Sequence, residues 1–206
     1  MSDQTKIDFS LSGRVWKKGE GKVSVLAVPN IITIVRIFFA PAIFFFVVSD
    51  PGSQAGRVLA ATFFLVGMAT DGIDGFIARS RGLITEFGKL LDPIADKVLV
   101  ATALIALSIV GEIPWWFTGL ILLREIGITV YRFFALKDAV IPASRAGKLK
   151  TLFQTVAITL ALADFGQFGE WAVITTWTLL WIAFALTIVS GAIYVFEAWY
   201  KNRRSQ

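Results

Sequence analysis

The sequence predicts an all-α integral membrane protein with six transmembrane helices behind an N-terminal cytoplasmic or interfacial arm. Three observations predict it. Of the 206 residues, 56% are hydrophobic and only 17% charged, whereas a soluble domain runs nearer ~45–50% apolar and ~25% charged. The apolar residues gather into six stretches, each close to the ~20 residues that span a bilayer. Basic residues collect in alternate connections between those stretches, the pattern that the positive-inside rule gives a multi-pass chain.

Residues 1–27 are polar and mixed in charge, without the apolar core of a secretory signal peptide. They read as an arm whose Lys17, Lys18 and Lys22 can meet anionic lipid headgroups. One membrane domain, residues 28–200, follows, and 201–206 form a cytoplasmic tail. Spans are expected at about 29–49, 56–80, 88–110, 114–136, 146–164 and 171–197. Between them stand Ser49-Asp50-Pro51-Gly52-Ser53, Ser80-Arg81-Gly82, Gly111-Glu112-Ile113-Pro114, Lys137-Asp138 and Asp164-Phe165-Gly166-Gln167. Each break holds a turn former or a charge that lipid rejects. The arm, the 80s loop (Arg79, Arg81, Lys89), the 137–150 loop (Lys137, Arg145, Lys148, Lys150) and the tail (Lys201, Arg203, Arg204) carry most of the 20 basic residues. The other connections carry Asp50, Glu112, Asp164 and Glu170, with Arg57 as the nearby cation. Both termini and the basic loops are therefore expected on the cytoplasmic face of the plasma membrane.

The chain contains no Cys and no His. Disulfides, thiol catalysis, Ser-His-Asp triads, haem-His ligation and ordinary zinc sites are excluded by composition. Any bound metal has to be held by oxygen, which favours Mg²⁺, Mn²⁺ or Ca²⁺.

Ionisable residues inside the apolar stretches carry the functional signal: Arg36, Asp71, Asp74, Asp92, Asp96, Lys97, Arg124, Glu125 and Arg132. Each costs at least ~2.5–3.5 kcal/mol at a bilayer centre, so each should face a cavity or a partner. Structural pairing, for instance Glu125 with Arg132, accounts for some of them. Four aspartates at the cytoplasmic ends of two adjacent spans need more. Asp71 and Asp74 stand at i, i+3, and Asp92 and Asp96 at i, i+4, so each pair shares a helix face. A tight loop makes these spans antiparallel neighbours, and the four carboxylates can converge. Their mutual repulsion in a medium of reduced dielectric is relieved by cations, and a pair of hard divalent ions is the natural occupant. Two such ions suit an in-line phosphoryl displacement. Gly72, Gly75 and Gly88 near these aspartates allow close helix packing or a ligand against the backbone. Pro93 falls in the first turns of the third span, where proline is best tolerated.

Residues 71–96 read Asp71-Gly-Ile-Asp74-Gly75-Phe-Ile-Ala78-Arg79, then Gly88, Asp92 and Asp96. This run resembles the CDP-alcohol phosphotransferase signature, D-x2-D-G-x2-A-R-x8-G-x3-D-x3-D, at every fixed position. Pro29-Asn30-Ile-Ile-Thr33-Ile-Val-Arg36 is similar to the family's first span. Arg124-Glu125-Ile126, Arg132 and Pro142-Ala-Ser144-Arg145-Ala-Gly147-Lys148-Leu-Lys150-Thr151 resemble the branch that makes phosphatidylglycerophosphate. The resemblance implies six transmembrane helices, a homodimer and a polar cavity open to the cytoplasm. It implies transfer of a phosphatidyl group from CDP-diacylglycerol to an alcohol, with release of CMP. It implies that Asp71, Asp74 and Asp92 ligate one divalent cation, Mg²⁺ or Mn²⁺, and that Asp71, Asp92 and Asp96 ligate a second. It further implies that Gly75 and Arg79, with Thr85 in the loop and Asn30 and Thr33 on the first span, lie against the cytidine diphosphate.

With no His available, a carboxylate must take the proton of the acceptor hydroxyl, and Asp96 is the expected base. Arg124, Arg132, Arg145 and Lys148 lie on the fourth span, the next loop and the start of the fifth. A cationic cluster of this kind suits a phosphorylated acceptor, glycerol phosphate and inositol phosphate alike; the resemblance carried by Arg124-Glu125-Ile126 and Gly147-Lys148-Leu-Lys150-Thr151 makes sn-glycerol 3-phosphate the expected substrate. Lys150 is read as part of the general cytoplasmic charge bias. The same chemistry on inositol 1-phosphate or on phosphatidylglycerol, as in cardiolipin synthesis, is the alternative; a cation-coupled transporter is a third reading, disfavoured because the aspartates lie near one face. Expected partners are the two substrates, membrane lipids and a second copy of the chain, with no nucleic acid among them.

Overall fold

The computed structural model describes the backbone of residues 28–80, 86–135 and 145–204, and the side chains of 30–70, 91–92, 94–130 and 149–192. Within these residues the chain is all-helical, with α1 Val28–Val48, α2 Gln54–Ser80, α3 Glu86–Ile109, α4 Trp115–Ala135, α5 Arg145–Leu162 and α6 Glu170–Arg204. A single 3-10 turn, Phe165–Phe168, leads into α6. The six helices stand where the apolar stretches predict them. Two details differ. The last helix runs on to Arg204, through the polar segment read as a tail. Because α3 begins at Glu86, Pro93 lies about two turns inside it rather than in its first turns.

Local chemistry sets the helix ends. The Ser53 hydroxyl accepts the Gly56 amide at 3.2 Å and caps α2. Gly111, at φ 82°, ends α3: its amide returns to the Ser108 carbonyl, and the Glu112 amide to that of Leu107. Gly169, at φ 114°, precedes α6, and its carbonyl receives the Ala172 and Val173 amides. A side chain would strain either position.

Short connections make successive helices antiparallel, so the starts of α1, α3 and α5 share one end of the bundle with the ends of α2, α4 and α6. The core runs through Ile43 and Val47 of α1, Phe64 of α2, Leu99, Leu104 and Leu107 of α3, Phe117 and Ile121 of α4, and Ile158 and Leu162 of α5. Buried alanines, among them Ala60, Ala103 and Ala157, let the backbones approach closely. Stacked rings join α4 to α6, with Phe117 and Phe184 centroids 4.8 Å apart. The outer faces are apolar as well: Phe38, Phe45, Leu123 and Ile174 are each more than half exposed. Among the described residues, Asn30–Val48 and Glu170–Ala192 are long and apolar enough to cross a membrane.

The end of the bundle opposite the aspartates is closed by a buried arginine. Arg57, 1% exposed, donates to the Leu162 and Ala161 carbonyls at the end of α5 and to both carboxylate oxygens of Glu112. It thus satisfies helix-end carbonyls of α5 that have no partner within the helix and ties α2 to α5 and to the α3–α4 turn.

Candidate active site

Two close approaches build the site. On α2, a Cβ at Gly67 would stand 2.8 Å from Leu99 Cδ2 and 3.4 Å from Phe39 Cδ2, so hydrogen in place of a side chain lets α2 seat against α1 and α3. Asp71 is one turn beyond Gly67 on α2, and Asp96 one turn before Leu99 on the antiparallel α3. The Gly67–Leu99 crossing therefore brings the positions of Asp71 and Asp96 to the same level of the bundle. The side chains of Asp71, Asp74, Gly75 and Arg79 lie outside the described residues, as does Thr85 altogether.

On α1, Asn30, Thr33 and Arg36 recur at helical spacing and are all buried. Thr33 Oγ1 donates a hydrogen bond of 2.7 Å to Asp92 Oδ1, joining the first helix to the third at the level of the aspartates. Asp92 and Asp96 are partly exposed, one turn apart on α3. Among the described residues no three carboxylates stand together; two members of the expected quartet are outside that set. The donor set itself, aspartate oxygen with a threonine hydroxyl behind it and no imidazole or thiolate in the chain, fits a hard divalent cation.

Beyond Asp96 the interior is ionic. Glu125 of α4, 4% exposed, receives three cations from three helices. Its Oε2 is met by the Lys97 ammonium of α3; its Oε1 is met by the Lys150 ammonium of α5 and by Arg124 NH1 at 2.9 Å. Arg124 NH2 reaches Ser190 Oγ on α6 at 2.6 Å. Gly191 makes room for it, since a Cβ there would stand 3.1 Å from Arg124 Cγ. Lys97 Nζ also lies 3.9 Å from Asp96 Oδ2, so the cationic group adjoins the expected base. The side chains of Arg132, Arg145 and Lys148 fall outside the described residues.

Lys150 is a correction to the sequence reading. It is 5% exposed and paired with Glu125, not part of the general cytoplasmic charge bias, because α5 turns this position inward toward the α4 carboxylate. Ser190 was not legible as a partner. Lys97 and Glu125 were conspicuous as charges inside apolar stretches, but their pairing was not.

Among the described residues, an all-helical bundle thus places Asp96 beside the knot of Lys97, Arg124, Glu125 and Lys150. The family model for CDP-alcohol phosphatidyltransferase matches residues 26–189. The chain belongs to that family and is an enzyme of its transferase class. It is 41% identical over 202 residues to the probable phosphatidylglycerophosphate synthase of Mycobacterium tuberculosis, an alignment covering 96% of this chain and 94% of that protein. It is 41% identical over 172 residues to the CDP-diacylglycerol–glycerol-3-phosphate 3-phosphatidyltransferase of Rickettsia bellii, covering 81% and 92%. The Bacillus subtilis protein of the same name is 34% identical over 182 residues, covering 83% and 94%.

Substitution at Thr33 tests whether its bond to Asp92 matters for activity. Thr33→Val keeps the shape and removes the donor, leaving Asp92 free to turn; kcat for phosphatidyl transfer is expected to fall about tenfold, and Thr33→Ser to restore most of it. Equal activity of the Val and Ser variants in a CMP-release assay would mean that the hydroxyl does not hold Asp92 in its working orientation.

Proposed function

We propose that this protein transfers the phosphatidyl group of CDP-diacylglycerol to sn-glycerol 3-phosphate, yielding phosphatidylglycerophosphate and CMP in phospholipid synthesis. One observation carries the reading: the expected base and the cationic cluster adjoin, with Lys97 Nζ 3.9 Å from Asp96 Oδ2 and also paired to Glu125 beside Arg124 and Lys150. A phosphorylated acceptor held by those cations would present its hydroxyl close to Asp96. The names carried by relatives along nearly the whole chain point the same way.

Asp71, Asp74 and Asp92 would hold one divalent cation, and Asp71, Asp92 and Asp96 a second. Bound there, Mg²⁺ or Mn²⁺ supplies charge neutralisation for the pyrophosphate under attack. Asn30, Gly75, Arg79 and Thr85 line the nucleotide side, with Thr33 orienting Asp92 as it does so. Asp96 accepts the proton of the attacking hydroxyl, the oxygen–phosphorus bond to the acceptor forms, and CMP leaves. Arg124, Arg132, Arg145 and Lys148 bind the acceptor phosphate. All six helices cross the plasma membrane, with the site and both termini on the cytoplasmic face, and the working unit is a homodimer. The apolar outer faces and the alternation of basic connections support this topology.

The test is purified protein with labelled CDP-diacylglycerol, Mg²⁺ or Mn²⁺, and a panel of acceptors. CMP release is expected with glycerol 3-phosphate and is expected to cease on chelation by EDTA. Transfer to inositol 1-phosphate or phosphatidylglycerol, with none to glycerol 3-phosphate, would overturn the assignment of the acceptor.

A further inference from the structure

Among the described residues, Glu125 is a buried carboxylate that the proposed reaction leaves without a task. It stands apart from the signature aspartates, on a different helix, and carries three cations from α3, α4 and α5 at once. Arg124 extends the same knot to α6 through Ser190. Two of its members are nearly inaccessible, Glu125 at 4% and Lys150 at 5%. An ammonium in such a setting needs a counter-ion to stay charged, and three cations about one point repel one another unless an anion sits among them. Three basic side chains, Lys97, Arg124 and Lys150, thus stand about the single Glu125 carboxylate, with Asp96 3.9 Å from Lys97.

We infer that Glu125 is a positioning residue for the acceptor: it gathers Lys97, Arg124 and Lys150 into a preformed cationic pocket beside Asp96 and so sets affinity for the acceptor's phosphate. The inference rests on the proposed glycerol 3-phosphate reading. Glu125 touches neither substrate; it acts through the three cations that pair with it. Preformed charge of this kind avoids the cost of assembling three long side chains at the moment of binding. The knot also spans α3 to α6, with Lys97 beside the expected base.

The wild-type enzyme is assayed first against glycerol 3-phosphate and unphosphorylated glycerol; failure to use the phosphorylated acceptor would overturn the acceptor reading and this inference together. Given that activity, Glu125→Gln is expected to raise KM for glycerol 3-phosphate about tenfold or more while KM for CDP-diacylglycerol stays within about twofold. Glu125→Asp, which retains the charge on a shorter stem, is expected to recover part of the loss. Lys150→Met should also raise the acceptor KM, and the double variant should be no worse than the poorer single one, because both act through one knot. An unchanged or lowered acceptor KM in Glu125→Gln would overturn the inference while leaving the acceptor reading intact. An equal rise in both KM values would overturn it likewise, marking Glu125 as a packing element alone. Should Glu125→Gln fail to fold, the Glu125→Asp and Lys150→Met variants carry the same comparison.

Discussion

Asp96→Asn is expected to abolish phosphatidyl transfer while CDP-diacylglycerol still binds. The acceptor hydroxyl must lose its proton as it attacks phosphorus, and the chain has no His to take it. A positioned general base contributes roughly 10²–10⁴-fold. Asparagine matches aspartate in shape but has no lone pair basic enough for the task, so kcat should fall by at least about 10²-fold. Folding is expected to survive, because the nearby Lys97 keeps Glu125 as its partner. Steady-state CMP release gives the rate, and binding of labelled CDP-diacylglycerol to the purified variant gives the other half of the comparison. Near-native turnover in Asp96→Asn would remove Asp96 from the role of base.

The largest loss of stability is expected far from the chemistry, at Arg57. Its guanidinium holds the Leu162 and Ala161 carbonyls at 2.7 Å each and grips Glu112 through two nitrogens, at 2.5 and 2.7 Å. Arg57→Met fills much of the same volume but removes the donor to the Leu162 carbonyl, takes one of two donors from the Ala161 carbonyl, which keeps the Asp164 amide, and leaves Glu112 without its counter-ion. Breaking a buried pair from one side costs about 3–5 kcal/mol. The Glu112 side chain is 36% exposed, so water recovers part of that, and about 3 kcal/mol is expected. Glu112→Gln keeps the carbonyl bonds of Arg57 but leaves its buried charge without a counter-ion, so a loss of similar size, about 2–3 kcal/mol, is expected. Thermal unfolding of the detergent-solubilised variants measures both; an Arg57→Met variant as stable as the wild type would show that the staple contributes nothing net.

Both sites bear on how far the sequence could be read. The aspartates were legible because everything that relates them is local: i, i+3 and i, i+4 spacing on two helices joined by a short loop. Helix periodicity alone assigns a face to each pair. The six helices were legible for a similar reason, since apolar runs and polar breaks are contiguous features. Arg57 and Glu112 were visible only as charges in outer connections. That Arg57 turns inward to cap α5 depends on a partner 105 residues away. Lys150 was misread because a residue near a predicted helix start can face solvent or interior, and the choice follows from where α5 begins and how it is rotated.

By itself, then, the sequence determined the helical class, the exclusion of His and Cys chemistry, the hard-oxygen character of any metal site and the residues of the aspartate signature. These follow from composition and from spacing within one or two neighbouring helices. Only the tertiary structure decided which polar group meets which: the Thr33 hydroxyl with Asp92, Lys97, Arg124 and Lys150 with Glu125, and Arg57 with Glu112. The physical reason is that a buried charge must find its counter-charge within a few ångström. Helix rotation and close crossings such as Gly67 on Leu99, rather than distance along the chain, determine which counter-charge lies in reach.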